Sequence, residues 1–261
     1  MKNIDFFYVN KLSKLHNEKT IFFCKMDYPL IYNDFNTISK LNNNVILITG
    51  NSDYGITDDI VNIAPKNIER WYCQNALSNN SIIYPIPIGM ENKEECYRSG
   101  HGVGYMHRVT EKENIISNLE EITPYKFIYA NFNIETNREY RTKIRDYISN
   151  IDYIDWQEPN LTLSEFFNTI KQYRMVLCPI GNGIDTHRLW ETLYCNKIPI
   201  TIKVGDYKIY KLYEQLPIII LNDIDELKNY NLLNTKYNEA IKLSNKILFN
   251  SYWQNLITNN V

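Results

Sequence analysis

The sequence predicts an α/β protein built on doubly wound parallel sheets, and two observations carry that expectation. From residue 125 onward, short apolar runs (127–131, 153–156, 175–178, 198–202 and 218–221) alternate with segments of helical character (136–149, 162–172, 186–195 and 206–214). Such alternation is the pattern of parallel strands joined by crossover helices. Within it, residues 175–202 spell one complete βαβ unit: an apolar strand, a turn carrying Gly181 and Gly183, a helix with Leu189, Trp190, Leu193 and Tyr194 at helical spacing, and a second short strand.

The N-terminal part reads in the same way, less regularly. Residues 20–28 (TIFFCKMDY) predict a strand ending in a polar turn before Pro29. Residues 44–49 (NVILIT) are a clearer strand, short and β-branched. They run into 50–55 (GNSDYG), a loop beyond a carboxyl strand end, where ligand crevices of parallel sheets lie. Asp53 is there a candidate general base, and equally a residue that shapes a turn beside glycine; Tyr54 accompanies it as a cleft-lining candidate. Residues 81–89 (SIIYPIPIG) carry Pro85 and Pro87, which place this strand at a sheet edge or end. Gly89 lets the chain turn toward the cleft, followed by Glu91 and Asn92, two more cleft-lining candidates.

The segment 99–108 (SGHGVGYMHR) lacks G-x-G-x-x-G and opens no evident helix, which argues against a dinucleotide-binding oxidoreductase. Cys96, His101 and His107 match no standard zinc spacing and lack a fourth ligand, so the segment reads as a cleft-lining loop with His101 in it. A helix is expected at 111–121 and a break at Pro124. The expected domains are therefore 1–120, 121–240 and a C-terminal helix, 241–261, packing back on the first. Asp223 and Asp225 form a D-x-D string whose position before Glu226 suits helix capping better than metal binding. Residues 237–257 predict one long helix that buries Ile241, Leu248, Trp253 and Leu256.

Composition narrows the functional classes. The 261 residues hold 44% hydrophobic and 22% charged side chains, enough for a sizeable core. A formal net charge of -2 gives no electrostatic reason to expect nucleic acid or an anionic membrane as partner. Five scattered cysteines without C-x-x-C suggest reduced thiols. No apolar run approaches the ~20 residues of a membrane span, and no signal peptide is evident. A cytoplasmic location is the resulting expectation, the host cytoplasm if the source is viral.

The central stretch, VLCPIGNGIDTHRLWETLYCNKIPIT, bears the candidate chemistry. Asp185 stands where a helix N-cap belongs, with Thr186 after it. Arg188 then falls in the first helical turn, where a cation opposes the helix dipole, and Glu191 shares its face. An intrahelical ion pair is the plain explanation. The two glycines just upstream allow a ligand close to the backbone, and helix N-termini are natural anion sites. On that reading Gly181, Gly183, Asp185, Thr186 and Arg188 surround a diphosphate, and Glu191 accepts hydrogen bonds from a ribose. In the segment NFNIETNREYR, Arg138 is positioned to clamp the same diphosphate from the other side, or to lie on a solvated helix face among Glu135, Glu139 and Lys143.

CPIGNGIDTHRLWETLYCNKIPI resembles the signature segment of exostosin-like glycosyltransferases, the family 47 type with its bacterial and viral relatives. That pattern runs Pro, a glycine-rich turn, Asp, a small residue, Arg, then Trp-Glu-Ala-Leu and Ile-Pro. Weaker similarities lie in WYCQN with IPIGMEN, and in the Asn-Thr-x-x-Arg-like stretch at 133–141. The resemblance implies a GT-B fold, two Rossmann-like domains facing a cleft, with the C-terminal helix crossing back to the first. It implies transfer of a sugar from a nucleotide-sugar co-substrate, with UDP the family-based expectation, to a glycan or glycoprotein hydroxyl. With Asp53 as base and no carboxylate set for magnesium, the expectation is an inverting, metal-independent enzyme without a resident cofactor. The alternatives are a retaining transferase and a non-catalytic module that binds nucleotide sugars or glycans. Many cellular members are membrane-anchored in the secretory pathway, from which this chain departs.

Overall fold

The computed structural model describes residues 2, 4–93 and 106–259. Among the described residues nine strands form two parallel sheets. The first holds β1 (Ile21–Lys25), β2 (Val45–Gly50), β3 (Ile68–Cys73) and β4 (Ile83–Pro85), in the order β1-β2-β3-β4. The second holds β5 (Lys126–Ala130), β6 (Ile154–Trp156), β7 (Tyr173–Leu177), β8 (Ile198–Ile202) and β9 (Ile219–Leu221), in the order β6-β5-β7-β8-β9. Every pairing is parallel. β1, β2 and β8 are buried at every position. Parallel sheets covered on both faces require such apolar runs. β4 sits at an edge, where Pro85, lacking an N–H, costs no ladder bond.

The helices are α1 (Val9–Leu12), α2 (Tyr28–Ile38), α3 (Asp58–Asn62), α4 (Met106–Ser117), α5 (Arg138–Ile148), α6 (Leu163–Ile170), α7 (His187–Tyr194), α8 (Ile209–Tyr213), α9 (Tyr230–Ala240) and α10 (Asn250–Thr258). In the second sheet, strand periodicity sorts side chains into two cores. Ile128, Ala130, Met175, Leu177, Ile198 and Ile200 face α5 and α9. Tyr129, Val176 and Cys178 face the other way, against α6 and α7. This second core is continuous with the whole interior of the first sheet, so the N-terminal and C-terminal halves share one apolar interior. α7 lies between them, which is why all six residues 189–194 are buried, Glu191 and Thr192 included. Tyr194 fixes its far end: its hydroxyl accepts from Phe7 N (2.8 Å) and donates to Leu248 O (2.7 Å).

Three expectations need correction. The helix expected across 237–257 is two helices, α9 and α10, separated by turn and 3-10 structure. Ile241 is 53% exposed in that break, so it anchors nothing, and Leu256 is only partly buried. Trp253 is buried, packs edge-on to Phe7 and donates to Ile247 O at 2.8 Å. α10 returns to the N-terminal segment through Ser251 N and Asp5 Oδ2 (2.8 Å). Second, β1 ends at Lys25, short of the expected residue 28, and Pro29 lies in the first turn of α2, where proline is compatible with the helix. Third, the N-cap of α7 is Thr186, not Asp185.

Asp223 caps the 3-10 turn Ile224–Lys228 in a reciprocal box with Glu226, which accounts for the D-x-D string. No helix among the described residues is long and apolar enough to cross a membrane.

Candidate functional site: a cationic crevice at the strand-order reversal

The second sheet reverses its order between β5 and β7: the chain leaves β5 toward β6, then returns to the other side as β7. At such a switch point the loops beyond the carboxyl ends part and leave a crevice, the usual ligand site of open α/β sheets. Here those loops begin at Asn131 and Cys178.

Two arginines span this crevice. Arg188, from the first turn of α7, donates through Nη1 to Asn131 O (2.8 Å) and Oδ1 (3.2 Å), and through Nε to Glu191 Oε2 (3.2 Å). Its guanidinium carbon stands 3.8 Å from the centroid of the Phe166 ring, within cation–π range. Asn131 is itself held, donating 3.0 Å bonds to Gln157 O and Glu158 O. Arg141, from α5, donates to Asn133 O (2.7 Å), Ile180 O (2.8 Å) and Pro179 O (3.0 Å), and so ties the two loops together. It is 7% exposed and has no carboxylate partner among the described residues. Burial, and then repulsion from Arg188, lower its pKa to about 10.

A buried ion cluster backs Arg188. Glu191 is 4% exposed, and each oxygen is taken: Oε1 by Lys112 Nζ (2.7 Å), Oε2 by Arg188. Lys112, from α4, also holds Glu91 Oε2 (2.8 Å). Burial alone would raise the Glu191 pKa; Lys112 and Arg188 outweigh it and hold the carboxyl down at about 2. For Lys112 burial acts downward, and Glu191 with Glu91 reverses it, so its pKa is raised. Three cations therefore face two carboxylates, leaving the crevice with a positive surplus.

The N-terminal half closes the other side. Asn75, just past β3, accepts from Asp185 N (3.0 Å) and donates to Ser52 O (3.0 Å). Asp53, exposed in the loop after β2, accepts from Asn182 Nδ2 at 3.3 Å. His187 Nδ1 lies 2.8 Å from Gly89 O. A carbonyl only accepts, so Nδ1 carries the hydrogen. Gly89 has φ of +65°, and a Cβ there would stand 2.5 Å from Phe7 O, so only glycine serves.

Several candidate residues take roles other than those expected. Asp185 is buried and saturated: Oδ2 accepts from Ile88 N (2.7 Å), Oδ1 from Tyr213 Oη (2.8 Å), Trp190 Nε1 (2.8 Å) and Thr186 N (3.0 Å). Burial pushes its pKa up to about 6 against those donors. It joins the halves and does not face a diphosphate. Glu191, enclosed between two cations, positions Arg188 and is closed to a ribose.

Gly181 and Gly183 are glycines because of protein neighbours: a Cβ would meet Arg141 Nη2 at 3.0 Å and Asn75 Oδ1 at 2.9 Å. Arg138 is exposed and paired with Glu135, so the cation that α5 contributes is Arg141. Asn92 is 5% exposed inside the N-terminal half, donating to Asn51 Oδ1 (2.8 Å), which removes it from the cleft lining. Glu91 is two-thirds buried on Lys112, and Tyr54 is 53% exposed on the rim. His101 and Cys96 lie outside the described residues.

What remains open toward the crevice is a set of donors. Arg188 Nη2 and the backbone N–H groups of His187 and Arg188 make no hydrogen bond among the described residues. The Thr186 side chain forms no cap bond. Unpaired N–H groups at a helix start, beside a guanidinium, suit a phosphate. Among the described residues no group of three His, Cys, Asp or Glu side chains is arranged to hold a metal.

No protein family and no curated protein sequence matches the chain. Among solved structures it is similar to an alpha1,3-fucosyltransferase, at 12% identity and a TM-score of 0.35, over 85% of this chain and 82% of that one. It is also similar to TarM, at 10% identity and a TM-score of 0.32, over 90% of this chain and 53% of that one. Both likenesses are too loose to assign a reaction, which has to come from the residues of the site.

Proposed function

We propose that the chain is a glycosyltransferase of GT-B-like layout, moving a sugar from a nucleotide-sugar donor, a UDP-sugar, to a glycan or glycoprotein hydroxyl with inversion and without a metal. The observation that supports it most is the meeting of two elements across the halves. A cationic crevice at the strand-order reversal, with free donors, stands opposite the Asp53 loop, which touches the glycine turn at Asn182.

In this reading the diphosphate lies on the N–H groups of His187 and Arg188, the Thr186 hydroxyl and Arg188 Nη2. Gly181 and Gly183 shape the turn, and Arg141 adds field from behind where Arg138 was expected. Asp53 takes the proton of the acceptor hydroxyl. The acceptor oxygen bonds to the anomeric carbon as the bond to the diphosphate oxygen breaks, and that oxygen keeps the electron pair. Preorganised donors at a developing oxyanion are each worth roughly 3 kcal/mol of barrier, and a positioned base ~100- to 10,000-fold. Tyr54 and Glu91 are assigned to the acceptor side.

The test is donor turnover across a panel of UDP- and GDP-sugars, in EDTA-treated protein, for the wild type and Arg188→Ala. The expected result is turnover of one donor that survives EDTA and falls at least about 100-fold in the variant, with the circular dichroism spectrum kept. Near wild-type turnover in Arg188→Ala overturns the diphosphate assignment. Donor binding without turnover by the wild type leaves a binding module instead.

A further inference from the structure

A cavity of about 370 Å³ lies at the far end of α7, away from the crevice. Its wall includes Arg174 at the amino end of β7 and Lys197 just before β8, so it opens at the opposite end of the strands whose carboxyl ends bear Arg188 and Arg141. The volume is that of a small-molecule site. Leu193, Leu248 and Phe249 give it an apolar side.

Its charges do not balance internally. Lys2 is paired with Glu121, and Lys171 stands 3.8 Å from Glu120. Lys197 and Arg174 have no carboxylate within ion-pair distance among the described residues. Lys197 is only 8% exposed, and no hydrogen bond of its ammonium is found among the described residues. Burial lowers its pKa, with Cys195 and Glu121 offsetting only part. Its place after the C-terminus of α7 favours the charge, while burial opposes it.

Arg174 is flanked by the rings of Phe127 (5.9 Å) and Tyr237 (5.8 Å), and its one side-chain bond among the described residues is a long one to Asn234 (3.4 Å).

Two uncompensated cations and an apolar side define one ligand class. We infer that this cavity binds a small organic phosphate monoester: the dianion between Lys197 and Arg174, and its carbon skeleton against Leu193 and Phe249. A planar guanidinium and a point-like ammonium together match a phosphate better than a single carboxylate.

Isothermal titration of the full chain at low ionic strength tests this, using glucose 6-phosphate, inorganic phosphate and glucose as probes. The expected result is one site per chain for glucose 6-phosphate, weaker binding of inorganic phosphate and none of glucose. Lys197→Met and Arg174→Gln should each weaken glucose 6-phosphate at least 10-fold, and Arg188→Ala should leave it unchanged. Arg174→Gln changes a half-buried side chain and keeps the test open if Lys197→Met fails to fold. No saturable binding overturns the inference. So does binding lost in Arg188→Ala but kept in the other two, which places the anion in the crevice. Glucose 6-phosphate binding no better than inorganic phosphate overturns the part played by the apolar wall.

Discussion

Lys112→Met is the sharpest test of the buried ion cluster. The ammonium bridges Glu191 at 2.7 Å and Glu91 at 2.8 Å and is 8% exposed, so methionine keeps the volume and removes the charge. Glu191 held at about 2 in place of 4.5 corresponds to about 3 kcal/mol of stability at neutral pH, shared between Lys112 and Arg188. Removing one partner of a buried pair costs about 3–5 kcal/mol, because the other charge stays buried. Since Arg188 remains beside Glu191, a loss of about 2–4 kcal/mol is expected at pH 7.

The signs follow from the two directions. The Glu191 pKa is depressed in the fold, so its contribution is complete above 4.5 and disappears as pH falls toward about 2. The Lys112 pKa is raised, so its contribution is complete below 10.5 and disappears as pH climbs above that. Urea unfolding of wild type, Lys112→Met, Glu191→Gln and the double variant at pH 7 should give a coupling of at least about 1.5 kcal/mol. At pH 3 that coupling should shrink. A Lys112→Met protein within about 1 kcal/mol of wild type at pH 7, or additive single variants, refutes the account.

Other outcomes follow from single contacts. Asp53→Asn should keep donor affinity by calorimetry and lose about 100- to 10,000-fold in turnover; an active variant moves the base elsewhere. Gly183→Ala puts a methyl 2.9 Å from Asn75 Oδ1 and should cost about 1–3 kcal/mol in urea unfolding. The same substitution should weaken donor binding, because the turn must shift. Trp253→Ala empties a site beneath Phe7 and should cost about 3–5 kcal/mol; a neutral result means that α10 contributes little to the shared interior.

The sequence was most legible where a local pattern and its tertiary context agree. The βαβ unit around α7 and the β/α rhythm of the second sheet are written in apolar runs that both faces of that sheet bury. Legibility failed where a residue answers to a distant partner. Asp185 has the local appearance of an N-cap, yet its ligands Ile88 N and Tyr213 come from outside the helix. Lys112 sits in a charged stretch, and its partner Glu191 is 79 positions away.

Arg141 carried a readable signal: it shares the buried face of α5 with Ile144 and Ile148, at i, i+3 and i+7. An arginine on an apolar face needs acceptors, which Arg138, on the solvent side, does not. The strand order that creates the crevice has no local signature at all.

Around the crevice the ties between the halves are polar, satisfied and concentrated on few residues, and this bears on the proposed reaction. Asn75 holds Ser52 O on the Asp53 loop and Asp185 N beside the glycine turn, and it fills the space that a Cβ at Gly183 would need. Asp185 then fixes Thr186 and Ile88, and His187 fixes Gly89. The loop carrying Asp53 and the turn that leads into α7 are therefore positioned by the same side chain. A base and an anion site set independently would drift relative to each other by the sum of two loop motions; set by one amide, they move together. Electrostatic stabilisation in a transition state depends on donors already in place when charge develops. On this structure that preorganisation traces to Asn75, a residue that touches neither the proposed donor nor the proposed acceptor. Asn75→Ala should accordingly lower turnover of the proposed reaction more than it weakens donor binding. Equal losses in both would show that Asn75 supports only the fold.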